Sequence, residues 1–350
     1  MDELARGLVV SGRPTTVITR STGPLVRAHD DLHPATIVRL RGHGWVRQHR
    51  TYLGMYAPFL GTHLEGRVVH AATYGVAAPL ISAIKKRKSQ LVVYVHGLEL
   101  LEAGDDRATL RKVLRAADRV IANSARVAEM AILAGASEER THAVAPAIDP
   151  RRITPGGSDL RAQWGVEGVP VVLTLARLVE RKGQDRVMEA LPTIRQMAPG
   201  AVYVVAGQGP DRERLEALRA SLGLPEDAVR FVGFVEEKDV AAAYRTCDVY
   251  AMLARETATD VEGFGITYLE ANAAGKTVVA GRSGGVEDAV LDGITGVVVD
   301  PEDVIAIGHA IGQLLVDPER RETLGNRGRL RVEAEMSRAA MVKRILDLTT

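Results

Sequence analysis

From residue 67 onward, short apolar runs alternate with amphipathic segments at a nearly regular spacing. Runs at 68–70, 91–95 and 119–122 predict strands, and helical periodicity over 76–86, 110–117 and the stretch from Ser124 predicts helices between them. A further strand is expected at 142–145. Upstream, 2–11 reads as an amphipathic helix stopped at Gly12, 15–19 and 37–40 as short strands, and the stretch from about Trp45 as a helix. Residues 146–157 break the rhythm with three prolines and the pair Gly156-Gly157, the composition of a linker. A second series follows, with strands expected at 171–175, 202–206, 229–232, 249–252, 277–280 and 296–299, each leading into a helical segment. Strands alternating with helices at this spacing make parallel sheets covered on both faces. The pattern predicts an α/β chain of two doubly wound, Rossmann-like domains facing a cleft. The first spans 1–147, a linker 148–164, the second 165–334, and a closing helix at 335–350 packs back on the first.

Composition narrows the class. With 350 residues, 46% of them hydrophobic, the chain has enough apolar material for two cores. A single cysteine, Cys247, excludes an internal disulfide and fits a reducing compartment. No apolar run has the length of a membrane span, and the first residues lack the pattern of a signal peptide, so a cytoplasmic location is expected. The net charge of +1 hides an asymmetry: residues 1–150 carry 20 Lys and Arg against 14 Asp and Glu, which leaves the remainder negative. A basic half suits an anionic partner or the inner face of a membrane, and equally a solvated surface with an excess of one sign. The densest cluster, Lys85-Lys86-Arg87-Lys88, closes a predicted helix, where cations favour the negative end of the dipole.

The richest chemistry lies at 260–275. Glu262 precedes a Gly263-Phe264-Gly265 turn, and an apolar helical run then carries Glu270 among Ile266, Leu269, Ala271 and Ala273. A carboxylate on so apolar a helix requires a polar partner, because burying it alone costs several kcal/mol, roughly. Glycines at the helix start let another group approach free backbone N–H groups, which suits an anion such as a diphosphate. Glu262 is expected on the loop and Glu270 inside the helix, reaching different parts of one elongated ligand.

Ligands of open α/β sheets bind beyond the carboxyl ends of the strands. There the sequence places His96 after 91–95, the cation-rich loop Arg177 to Lys182-Gly183 after 171–175, the turn Gly207-Gln208-Gly209-Pro210 after 202–206, and Val235 and Glu236 after 229–232. His96 fits a hydrogen-bonded loop residue as well as a functional one. The cationic loop suits an anion, although Arg and Lys are common in loops, and the glycine turn also has a purely structural reading.

Together these motifs resemble the retaining glycosyltransferases of family four, which have the GT-B fold. The resemblance rests on Arg177-Leu-x-x-x-Lys182-Gly183, Gly207-x-Gly209-Pro210, the Glu262 and Glu270 pair around Gly-Phe-Gly, and Gly284-Gly285 with Asp292-Gly293-x-Thr-Gly296. It covers nearly the whole chain and is strongest over 165–300. The loop 254–261 is similar to that of bacterial mannosyltransferases acting on phosphatidylinositol lipids.

The resemblance implies transfer of a hexose from a nucleotide sugar to an acceptor hydroxyl, on a lipid or a cell-envelope glycan precursor. Arg177 and Lys182 would hold the diphosphate, Glu270 the ribose, and Glu262 with the Gly263, Phe264 and Gly265 backbone the donor sugar and diphosphate. Val235 and Glu236 would lie along the base. His96 would act from the first domain near the transferred sugar, and the acceptor would bind mainly to that domain, whose basic surface would meet the membrane. No nucleic acid is an expected partner. No cofactor is implied beyond the donor, and no metal, since no Asp-x-Asp closes a strand and the cations would supply the counter-charge. In this family a strand and a glycine-rich turn precede the helix that corresponds to 2–11, and here neither is present. The same residues fit two alternatives, a nucleotide-sugar epimerase of the same fold and a non-catalytic or truncated nucleotide-sugar-binding protein.

Overall fold

The apolar runs become parallel strands. In the computed structural model, which describes residues 1–20, 30–40, 64–101 and 104–350, β1 (Thr16–Arg20) and β2 (Thr36–Leu40) pair with each other. Next, β3 (Val68–Ala71), β4 (Gln90–Val95), β5 (Arg119–Ala122) and β6 (Thr141–Ala143) form a four-stranded sheet in that order. The helix expected from about Trp45 lies outside the described residues. The helix expected over 76–86 is divided into Tyr74–Ala77 and Ile81–Lys86 by a tighter turn at Ala78–Leu80, where Pro79 lacks the N–H that a continuous helix needs.

Because side chains alternate across a strand, β4 and β5 feed two cores. Leu91, Val93, Val95, Val120 and Ala122 meet the helices Ile81–Lys86, Arg107–Ala116 and Ala125–Leu133, and Ile18 of β1 and Val38 of β2 pack against the same cluster. On the other face Val92, Tyr94 and Ile121 pack with Leu4 and Leu8 of the helix Asp2–Val10 and with Val342 and Ile345 of the helix Arg338–Thr349. The last helix therefore belongs to the unit that begins the chain: one compact unit is Met1–Ala147 with Arg338–Thr350, the other Ile148–Ser337. The second unit includes the stretch 148–164, and Ile148 N–H donates to the Met336 carbonyl at 3.1 Å.

The second unit holds β7 (Val171–Leu175), β8 (Val202–Ala206), β9 (Val229–Gly233), β10 (Val249–Met252), β11 (Thr277–Gly281) and β12 (Gly296–Val299). Their order across the sheet is β12-β11-β10-β7-β8-β9, all parallel. Val172, Tyr203, Val205, Val249 and Ala251 bury one face against the helices Gln184–Met197 and Val304–Val316. The chain winds outward from β7 to β9 and then returns to the other side of β7 with β10. Neighbouring connections therefore diverge at the carboxyl ends of β7 and β10, the place where such sheets leave a crevice.

Candidate functional site

The loop leaving β7 and the loop leaving β10 are laced together at that switch point. Gly183 has φ +67°, and a Cβ there would lie 2.0 Å from the Leu253 carbonyl oxygen, so only glycine permits the contact. Arg255 N–H donates to the Arg181 carbonyl at 3.0 Å. Beneath them the buried Arg255 guanidinium forks onto both carboxylate oxygens of Asp185, each at 2.8 Å, and Arg214 reaches the same carboxylate at 3.1 Å. Burial opposes the ionised form of Asp185, but its bonds to Arg255 and Arg214 outweigh that and hold its pKa below the ordinary value. The Gly207-x-Gly209 turn has a packing role, since a Cβ on either glycine would strike the carbonyl of Ala176 or Leu178.

This lacing brings Glu262 onto two cations. Lys182 Nζ lies 2.5 Å from Glu262 Oε2, and Arg181 Nη1 donates to the same oxygen. Arg181 Nε is 2.7 Å from Asp260 Oδ2, a charge contact without hydrogen-bond alignment. Glu262 is only 7% exposed, so the pair is screened little by solvent. Burial lowers the Lys182 pKa, the adjacent Arg181 charge adds to that, and Glu262 opposes it. Arg177, at the start of the same loop, is exposed, and no ion pair holds its guanidinium among the described residues.

Glu262 lies on the loop, and Gly265, with φ +89°, precedes the helix Ile266–Ala273 that carries Glu270. A Cβ on Gly265 would lie 2.4 Å from the Tyr268 ring. Phe264 is 2% exposed, so its side chain serves the core, and what Gly263, Phe264 and Gly265 can offer a ligand is backbone. The polar partner that Glu270 requires is Tyr244, whose hydroxyl donates to Glu270 Oε2 at 2.7 Å. Burial raises the Glu270 pKa, the Tyr244 bond restrains the rise, and the Glu237 charge adds to it. Tyr244 is in turn packed on Tyr250, and Tyr250 edge-on to Tyr268, at centroid distances of 5.5 and 6.2 Å.

The remaining expected residues are placed as follows. Val235 and Glu236 follow β9, at the sheet edge. Val235 is half-buried, while Glu236 is exposed and paired with Lys238 at 2.7 Å. His96 belongs to the first unit, at the carboxyl end of β4. It is exposed, with Nε2 3.3 Å from the Ala72 carbonyl and its backbone N–H donating to Glu99 at 2.6 Å. Arg181, Asp260 and Tyr244 lie outside the residues that the sequence motifs single out. Arg181 was visible only as one more cation beside Lys182, and Tyr244 has no motif.

Comparison with known proteins identifies the family. Residues 158–331 match the family model for glycosyl transferases group 1, and residues 1–152 match that for Glycosyltransferase Family 4. A GDP-mannose-dependent alpha-(1-6)-phosphatidylinositol monomannoside mannosyltransferase of Mycolicibacterium smegmatis is 36% identical over 306 residues, covering 81% of this chain and 78% of that one. The chain is a family 4 glycosyltransferase. A monoacylated-substrate counterpart from Corynebacterium glutamicum is 32% identical to this glycosyltransferase over 298 residues, 81% of this chain and 77% of that one. Among solved structures, Anabaena Alr3699/HepE in complex with UDP superposes with a TM-score of 0.82 at 21% identity, over 99% of this chain and 95% of that one. Sucrose-phosphate synthase from Thermosynechococcus elongatus gives 0.79 at 23% identity, over 99% and 91%. At such identities these two establish the fold of the glycosyltransferase, GT-B, and no more. No helix among its described residues is long and apolar enough to cross a membrane.

Proposed function

We propose that this glycosyltransferase transfers mannose, with retention, from GDP-mannose to a hydroxyl of a phosphatidylinositol mannoside or a similar lipid-linked glycan. The observation that carries the donor site is the meeting of Lys182 and Glu262, 80 residues apart, at the switch point between β7 and β10. Choice of sugar and acceptor follows the names of the relatives, and the basic first half of the chain fits an acceptor in an anionic membrane at the cytoplasmic face.

In this reading Arg177 and Lys182 bind the diphosphate and stabilise the charge that grows as the sugar departs. One such preorganised donor is worth roughly 3–4 kcal/mol of barrier. Glu270 accepts hydrogen bonds from ribose hydroxyls, Glu262 from the sugar, and Val235 and Glu236 border the base. The bond from the anomeric carbon to the phosphate oxygen breaks while a bond to the acceptor oxygen forms on the same face. The acceptor's proton passes to the departing diphosphate, so positioning replaces a covalent intermediate. His96 acts near the transferred sugar. Arg177 and Lys182 supply the counter-charge to the diphosphate, and no metal is assigned a role.

The test is a transfer assay with GDP-mannose and phosphatidylinositol monomannoside in mixed micelles, with the anomeric configuration of the product read by NMR. An α-linked product from the α-linked donor, abolished in Lys182→Ala, is the expected result. A β-linked product would overturn retention, and an unreactive acceptor in the presence of bound donor would overturn the assignment of acceptor.

A further inference from the structure

Arg181 and Lys182 are neighbours with the same charge, yet they are held differently. The Arg181 guanidinium spans both carboxylates of the 260–262 segment, Glu262 through Nη1 and Asp260 through Nε, and its own carbonyl is fixed by the Arg255 N–H. Among the described residues the Lys182 ammonium is paired with Glu262 alone. An ammonium carries three donors on a flexible stem and can serve a carboxylate and a phosphate together, whereas a planar guanidinium held between two carboxylates, by a hydrogen bond to one and a charge contact with the other, has less freedom to turn to a third anion. The four side chains sum to zero formal charge, and Arg181, Lys182 and Glu262 are each exposed by less than 15%.

A phosphate that engages Lys182 therefore arrives beside the Glu262 carboxylate. The terminal phosphate of a bare nucleoside diphosphate carries about one more negative charge than the same phosphate esterified to a sugar, since its second ionisation lies near pH 6, roughly. Glu262 repels that extra charge in a poorly screened place. A sugar on the same phosphate removes the charge and presents hydroxyl groups that can donate to the carboxylate. Resting on the donor reading above, we propose that Glu262 discriminates a sugar-bearing diphosphate from a bare one, and that Arg181 is the positioning residue that keeps Glu262 there. The same contact then promotes release of the nucleoside diphosphate once the sugar has gone.

The test is calorimetric titration of the intact chain with GDP and with GDP-mannose, and in parallel with UDP and UDP-glucose, for wild type, Glu262→Gln, Arg181→Ala and Arg181→Lys. The readout is the ratio of the two dissociation constants within one preparation, so that a loss of folded protein cancels. Glu262→Gln should tighten the bare diphosphate and weaken the sugar nucleotide, each by about tenfold, the factor for 1.4 kcal/mol. Arg181→Ala should shift the ratio in the same direction, and Arg181→Lys should recover part of it. Equal weakening of both ligands by Glu262→Gln would overturn the discrimination. Selective loss of the bare diphosphate in Arg181→Ala would make Arg181 a phosphate ligand and overturn its positioning role. A wild-type chain that binds neither pair defeats the donor reading itself, and this proposal with it.

Discussion

Glu270 shows how one side chain links binding to stability. Burial raises its folded pKa above the ordinary 4.5, so the folded protein holds the proton more tightly than the unfolded chain does. The contribution to stability is thus full below about pH 4.5 and is lost as pH rises through the folded value. Glu270→Gln should raise the melting temperature at pH 7 and leave it nearly unchanged at pH 4, as scanning calorimetry at the two values would show. The same substitution should weaken donor binding roughly ten- to hundredfold, because a hydrogen bond to a charged group is worth about 1.5–3 kcal/mol. A residue that lowers stability and supports affinity is what a binding site requires, and the need for a partner was legible in the sequence because a carboxylate stood among apolar helical positions. Which group met it was not legible. Tyr244 lies 26 residues away on another helix, and only the packing of three tyrosines brings its hydroxyl within reach.

Among the elements, the strands are legible in the sequence, since continuous Val-rich runs in a parallel sheet differ little from one to the next. The loops between them are legible as motifs but not as contacts. The Arg177 to Gly183 loop stands out by its cations and its terminal glycine, but its closure on the 253–262 loop depends on backbone contacts that side-chain patterns do not encode. Gly183→Ala tests that closure. Adopting a left-handed conformation costs a residue with a Cβ about 1–2 kcal/mol, and the contact with Leu253 O at 2.0 Å adds a clash that only separation of the loops can relieve. Urea unfolding should show a loss of roughly 2 kcal/mol or more. Transfer should fall further than stability does, since Lys182 moves with the loop. Intact transfer in Gly183→Ala would show that the lacing is incidental.

For the whole molecule, two doubly wound units are evident from the alternation and the proline-rich break, but the order of the strands is not encoded in that alternation. That order, with β10 returning beside β7, is what creates the switch point. The two units share the chain unequally: the second is a continuous stretch, while the first is completed by Arg338–Thr350. Val342 is 1% exposed and packs against Gly7 and the β4 face. Val342→Asp should destabilise the first unit by roughly 3–5 kcal/mol, the cost of an unpaired buried charge. In calorimetry the transition of the first unit should move down in temperature while that of the second stays in place. A single transition displaced as a whole would mean that the units melt together.

The division also sets an order of events during synthesis. A growing chain usually folds its amino-terminal domain first, but here Leu4, Leu8 and Tyr94 gain their last neighbours, Val342 and Ile345, only from the final helix. While the ribosome adds the second unit, at about 5–20 residues per second, the part of this apolar sheet face that the final helix covers stays open for on the order of 10–40 s. The middle of the chain can finish folding before the beginning does, and for that interval the nascent protein presents a surface suited to a chaperone.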